Sequence, residues 1–172
     1  MEMTKAVKTD LPRIEALITQ AKLFLKKQGV DQWQDGYPDA GDLARDVNSG
    51  IGYVCKEDGR ILAYTAIDFR GEPAYRSLQG HWLNEAAYVV IHRMAVDNTV
   101  KGKGLAQKVF RMVETMALKK GVENVRVDTD EANHIMRHII EKAGYTYCGH
   151  ITFANSDKIA FQKCLGQADP LG

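Results

Sequence analysis

The stretch Val96-Asp97-Asn98-Thr99-Val100-Lys101-Gly102-Lys103-Gly104-Leu105-Ala106 constrains the fold more than any other part of the chain. It leaves the apolar run Ala87 to Val96, which reads as a strand. It enters Gly104 to Lys120, where Leu105, Val109, Phe110, Val113, Met116 and Ala117 recur at helical spacing. A strand that turns within a few residues into an amphipathic helix needs a sheet for the helix to cover. The pattern then repeats. Val125 to Asp128 reads as a strand, and Asn133 opens a helix with Ile135, Met136, Ile139 and Ile140 inward, ending at Gly144. Tyr145 to Ile151 and Lys158 to Lys163 read as the last strands.

The first half adds a short strand at Met3 to Val7 and a helix capped by Thr9 or Asp10, with Pro12 in its first turn and Gly29 at its end. Asp39 caps a second helix that stops by Gly50. Ile51 to Lys56 and Arg60 to Asp68 flank Asp58-Gly59, a hairpin signal. Phe69 to Glu85 follows neither period. The order predicts an α/β (α+β) chain with a mixed sheet under helices. At 172 residues it suits one domain, taken as 1–165, with 166–172 a tail.

Charge narrows the partners. Lys plus Arg is 23 and Asp plus Glu 22, a net +1 that gives no footprint for nucleic acid or an anionic membrane. No run approaches the roughly 20 apolar residues of a membrane helix, and no secretory h-region stands at the N-terminus. Cys55, Cys148 and Cys164 are far apart, and none forms C-x-x-C, which predicts a reduced, cytoplasmic protein without structural zinc.

The glycine-rich turn suggests chemistry. The first N–H groups of a helix have no intrahelical partner, and the dipole adds about half a positive charge there. Glycines at 102 and 104 let an anion approach the backbone, and Lys101, Lys103 and Lys108 add charge. This describes a phosphate cradle suited to a diphosphate. The same residues also suit a plain helix start with solubilising lysines. The Walker pattern is not met, and Gln107 stands where the dinucleotide fingerprint needs a small residue, so a nucleotide-binding α/β domain is a minor alternative.

The wider context resembles the GCN5-related N-acetyltransferase (GNAT) family. Lys101, Gly104 and Ala106 follow that family's Q/R-x-x-G-x-G/A turn, with Lys at the first place. Asn133, Lys142, Gly144 and Tyr145 fit its second motif, and the similarity is specific from about Ala87 to Ile151. The resemblance implies a strongly twisted mixed sheet of about six to seven strands with about four helices. It also implies acetyl-coenzyme A between two splayed parallel strands. Pantetheine would pair with the backbone of Met94, Ala95 and Val96. The pyrophosphate would sit on N–H groups of Lys101, Gly102, Lys103, Gly104, Leu105 and Ala106. Asn133 would hold the pantetheine arm. Homodimers are common in the family.

The implied reaction is direct attack of a primary amine, on a small molecule or peptide, on the acetyl thioester in a ternary complex. An alkyl amine is almost wholly protonated at neutral pH, so a base or a desolvating site must take its proton. A strand N–H suits the oxyanion. His92 is the first candidate base: alternation puts Tyr88, Val90, His92, Met94 and Val96 on one face, and an imidazole titrates near neutrality. Glu85 is second. The family's acid is often a Tyr where this chain has Ile140, which motivates a non-catalytic acyl-coenzyme A binding module as the alternative. Tyr145 and Tyr147 are near in sequence. Trp33 and Tyr37 fall where the family builds its acceptor wall; Trp33 also suits packing at a helix end. Asp128, Asp130 and Glu131 suit a surface loop or a cationic acceptor. His134 and His138 lack the Glu of H-E-x-x-H, and no metal is expected.

Overall fold

A computed structural model of the chain describes residues 1–100, 102–153 and 156–166. The predicted tail beyond Gly166 and Lys101 lie outside them. The chain divides into two compact units, Met1–Ile67 with His92–Val109, and Asp68–Ile91 with the chain from Phe110 onward.

The first unit contains β1 (Glu2–Lys5), α1 (Leu11–Lys27), α2 (Ala40–Asn48), β2 (Gly52–Glu57), β3 (Arg60–Asp68, to Ile67) and the end of β5 (Val89–Val96). Its strand order is β1-β2-β3-β5. β2 and β3 form the predicted antiparallel hairpin, and Asp58 and Gly59 take the positive φ values (50° and 76°) that its tight turn needs. Asp39 caps α2 as expected, accepting from the Asp42 N–H at 2.9 Å. The cap predicted for α1 differs: Asp10 instead accepts from the Val7 N–H at 2.9 Å in the preceding 3-10 turn. Ile14, Leu17 and Ile18 of α1, Leu43 of α2, Val54, Ile61 and Tyr64 of the hairpin, and Ala95 of β5 make the core.

The second unit has the order β5-β6-β8-β7-β4, from the start of β5, β6 (Asn124–Asp130), β8 (Ser156–Cys164), β7 (Thr146–Phe153) and β4 (Gln79–Gly80). β5 pairs parallel with β6 from Val89↔Val125 to Ile91↔Val127; the other pairs are antiparallel. α3 (Leu105–Lys119) starts in the first unit and continues in the second, which also holds α4 (His134–Lys142). Among the described residues the sheet therefore has eight strands rather than six or seven. The added strand is the two-residue β4, in a segment without a sequence period. Its pairing with β7 demands glycine: a Cβ on Gly80 would lie 2.1 Å from the Cys148 carbonyl oxygen, and one on Gly149 2.2 Å from that of Gln79.

The rest of Phe69–Glu85 is held by side chains. Tyr75, in a 3-10 turn, packs on Val90, Ile151 and Ala160, with Trp82 and Tyr88 against the same cluster. Arg126 of β6 is 5% exposed and lies between two rings, its guanidinium carbon 4.0 Å from the Trp82 centroid and 3.9 Å from that of Tyr88. It donates to Gln162 Oε1 at 3.2 Å and to the Asn84 carbonyl at 2.9 Å. On α4 the expectation for Ile135 is corrected: it is 43% exposed, while Ile140 is fully buried. The inward stripe is narrower than the run of apolar residues suggests. No helix among the described residues is long and apolar enough to cross a membrane.

Candidate functional site

The chain leaving β5 is braced before it reaches the glycines. Asp97 is 2% exposed and accepts from Arg13 Nη2 and Thr99 Oγ1, both at 2.7 Å, and from the Thr99 N–H at 2.9 Å. Burial acts to raise the Asp97 pKa, but the bonds from Thr99 and Arg13 outweigh it and hold the carboxyl below its ordinary value. Beyond this brace, Gly102 and Gly104 have φ of 76° and 56°, left-handed backbone that glycine adopts without strain. A Cβ on either would meet no protein atom within 4 Å. Internal crowding therefore does not dictate these glycines, and the space beside the backbone is open. The first bond into α3 runs from the Lys108 N–H to the Gly104 carbonyl at 3.1 Å, so the amides of Leu105 and Ala106 precede the helical ladder. Dipole, amides and open space together suit a bound anion. Lys103 contributes less charge than expected, because its ammonium pairs with Glu57 Oε2 at 2.9 Å. The Lys103 hydrogen bond and charge lower the Glu57 carboxyl below its usual range.

Immediately upstream, β5 is kinked. Arg93 has φ of 49°, a left-handed residue inside a strand. Such a residue interrupts the pleat, so the predicted alternation cannot be carried from Val90 to Met94. Val90 joins the second unit's core and Ala95 the first unit's. His92 is half-buried, and its carbonyl accepts from Thr65 Oγ1 at 2.9 Å. The Arg93 side chain makes a network that sequence reasoning missed. It donates to both oxygens of buried Asp46, from Nε at 2.8 Å and Nη2 at 2.6 Å, and from Nη1 to the Tyr37 hydroxyl at 2.7 Å. Tyr64 donates to the same Asp46 at 2.5 Å. Burial disfavours the Arg93 charge, yet Asp46 and Tyr37 raise its pKa overall. The only signal in the sequence was a charged residue within an apolar strand.

The two residues expected at the acceptor wall behave differently. Trp33, itself at φ of 61°, packs against the first unit's core. Tyr37 is 42% exposed, with its hydroxyl on Arg93. Burial of its ring raises the Tyr37 pKa despite the nearby guanidinium.

In the second unit, Asn133 is buried and its side-chain oxygen caps α4, accepting from the Met136 N–H at 3.1 Å. Tyr145 is buried and donates to Glu114 Oε1 at 3.1 Å; burial and the Glu114 charge raise its pKa far above the ordinary phenol value. Tyr147 is exposed and stands edge-on to Phe161. Asp128 accepts from the Tyr75 hydroxyl at 2.7 Å, and Asp130 from Ser156 Oγ at 3.2 Å, so both are tied to neighbours in the same unit. Glu85, His134 and His138 are exposed, and among the described residues no three His, Cys, Asp or Glu gather as metal ligands.

A family model described as the acetyltransferase (GNAT) family matches residues 16–145. A GNAT-family acetyltransferase from Streptococcus agalactiae shares 33% identity over 96% of each chain, with a TM-score of 0.88. YncA from Salmonella typhimurium, solved with its cofactor acetyl-CoA, shares the fold at 17% identity and a TM-score of 0.67, over 98% of this chain and 96% of that one. The aminoglycoside enzyme AAC(6')-Ib, solved with ribostamycin and coenzyme A, shares it at 19% and 0.67, over 94% and 92%. No curated protein matches the sequence. A family match across both units, together with a 33%-identical relative over nearly the whole chain, shows that the protein belongs to the GNAT acetyltransferase family.

Proposed function

We propose that residues 1–165 act as a cytoplasmic N-acetyltransferase that uses acetyl-coenzyme A to acetylate a primary amine of a small molecule or peptide. One observation carries this reading: the left-handed Gly102 and Gly104, with open space where side chains would stand, at the start of α3. Amides from Gly102 to Ala106, with Lys101, would bind the pyrophosphate. The backbone of Met94, Ala95 and Val96 would pair with pantetheine, and the Asn133 amide would hold the same arm. When bound, the cofactor supplies an acetyl thioester. His92 takes a proton from the incoming amine, and Trp33 and Tyr37 border the acceptor.

Calorimetric titration with acetyl-coenzyme A is the first test, and failure to bind at tens of micromolar would end the reading. Coenzyme A release is then measured across polyamines, amino acids, aminoglycosides and peptides. His92→Ala is expected to lower turnover about 100-fold with unchanged acetyl-coenzyme A affinity. Undiminished turnover between about pH 6 and 9 would remove His92 from the reaction.

A second reading, a non-catalytic acyl-coenzyme A binding module, is favoured by one feature: buried, apolar Ile140 stands where the family often has its acidic Tyr. Binding without thiol release across the panel would select it.

A further inference from the structure

We propose that Arg93 is a positioning residue that aims the Tyr37 hydroxyl at the acceptor, and that the acceptor is an amine bearing a nearby hydrogen-bond-accepting oxygen. The inference rests on the N-acetyltransferase reading. Its starting point is proton accounting. A guanidinium only donates, so at 2.7 Å the Tyr37 oxygen must accept from Arg93 Nη1. The phenol proton then has to point elsewhere. No acceptor for it occurs among the described residues, and Tyr37 is 42% exposed. Tyr37 therefore presents a directed donor at the surface, strengthened because its oxygen accepts from a cation.

The support behind Tyr37 is costly for a fold that needs only stability. Arg93 and Asp46 have side chains 15% and 5% exposed, so both charges are largely desolvated. Arg93 also occupies left-handed backbone that an Arg does not favour. The network achieves geometry. Asp46 takes two guanidinium nitrogens and the Tyr64 hydroxyl, which leaves Arg93 one orientation and one nitrogen for Tyr37. Through that bond the loop joining α1 and α2 is fixed to the kink in β5, one residue before the backbone proposed for pantetheine. A donor fixed there discriminates between amines by an oxygen they carry. Because Tyr37 is exposed, water takes the place of a missing partner, so the preference comes from the strengthened, directed donor and is moderate in size.

Matched amines test this: amino alcohols against alkyl amines of equal length. The wild-type protein is expected to prefer the amino alcohol at least about 10-fold in kcat/KM, and Tyr37→Phe to remove most of that preference through KM. Calorimetric affinity of the amino alcohol for the coenzyme A-loaded protein is expected to fall by the same factor, with acetyl-coenzyme A affinity unchanged. Arg93→Met is expected to lose the preference although Tyr37 remains, and the double variant to lose no more. Preference retained in Tyr37→Phe, or losses that simply multiply in the double variant, would overturn the proposal. If Arg93→Met does not fold, the exposed Tyr37→Phe decides alone. Should the wild type fail to bind acetyl-coenzyme A, the N-acetyltransferase reading itself falls; if it binds and turns over but shows no oxygen preference, only this inference falls.

Discussion

Gly104→Asp separates ligand affinity from fold stability better than any other single change. The substitution adds a side chain at φ of 56°, where an ordinary residue costs about 1–2 kcal/mol, although Asp is among the residues that tolerate it. The new Cβ meets no protein atom within 4 Å, so no steric cost adds to this. A carboxylate at the start of α3 returns about 0.5–1 kcal/mol through the helix dipole. The fold should therefore lose no more than about 1 kcal/mol, or roughly 2–4 °C in Tm for a chain of this size. Ligand binding should respond very differently. A carboxylate about 5 Å from a phosphate charge costs roughly 1–3 kcal/mol at the effective dielectric of a protein surface, and a diphosphate carries more than one such charge. Acetyl-coenzyme A affinity should fall about 100-fold, while Gly104→Asn, which keeps the volume and removes the charge, should lose less than about 5-fold. Calorimetric titration of the three proteins, with thermal melts alongside, measures both quantities. Wild-type affinity in Gly104→Asp would refute the cradle, whatever the melts show.

Three further outcomes follow from the buried polar groups. The Asp97 carboxyl has a lowered pKa, so the stability it contributes is present above its unfolded value and lost as pH falls through the folded one; Asp97→Asn should cost about 1–3 kcal/mol at pH 7 and flatten the acid limb of a urea-denaturation series below about pH 4. Thr129 Oγ1 is buried with no hydrogen-bond partner among the described residues, so Thr129→Val should raise stability by about 1–2 kcal/mol in the same assay, and destabilisation would mean that the hydroxyl is satisfied. Arg126→Met removes a cation held between Trp82 and Tyr88 and leaves the Asn84 carbonyl unmatched; denaturation should show a loss of about 2–4 kcal/mol, and neutrality would show that the ring contacts carry little.

The parts of the fold legible in the sequence are those with a repeating signal. Both long hairpin strands, the α3 stripe from Leu105 to Ala117, the Asp39 and Asn133 caps and the glycine turn all announce themselves through period or cap chemistry. Phe69–Glu85 did not, because what holds it is a cation between aromatic rings and a two-residue strand that depends on paired glycines, none of which repeats along the chain. The site divided the same way. Gly102 and Gly104 were visible because a left-handed turn needs glycine. The Arg93 kink was not, because an Arg there violates the local preference and is held by Asp46, 47 residues earlier in sequence. Non-local side-chain chemistry that works against local propensity leaves no periodic trace.

The placement of the first unit's buried charges supports this division. A buried ion pair is a poor source of stability, since desolvation consumes most of its attraction, and apolar residues of like volume often do as well. One such pair and one buried carboxylate nevertheless bracket one short stretch of β5. Asp46 grips Arg93 at its start, and Asp97, held by Arg13 and Thr99, stands at its end. Between them lie Met94, Ala95 and Val96, and Thr65 holds the His92 carbonyl just ahead. Ion pairs scattered for solubility would not be desolvated, and pairs kept for stability would not need to converge on the same few residues. Fixing the backbone of Met94 to Val96 between a kink and a glycine turn accounts for both facts. It is also what a strand edge needs if it is to receive an extended, hydrogen-bonding ligand arm in one register.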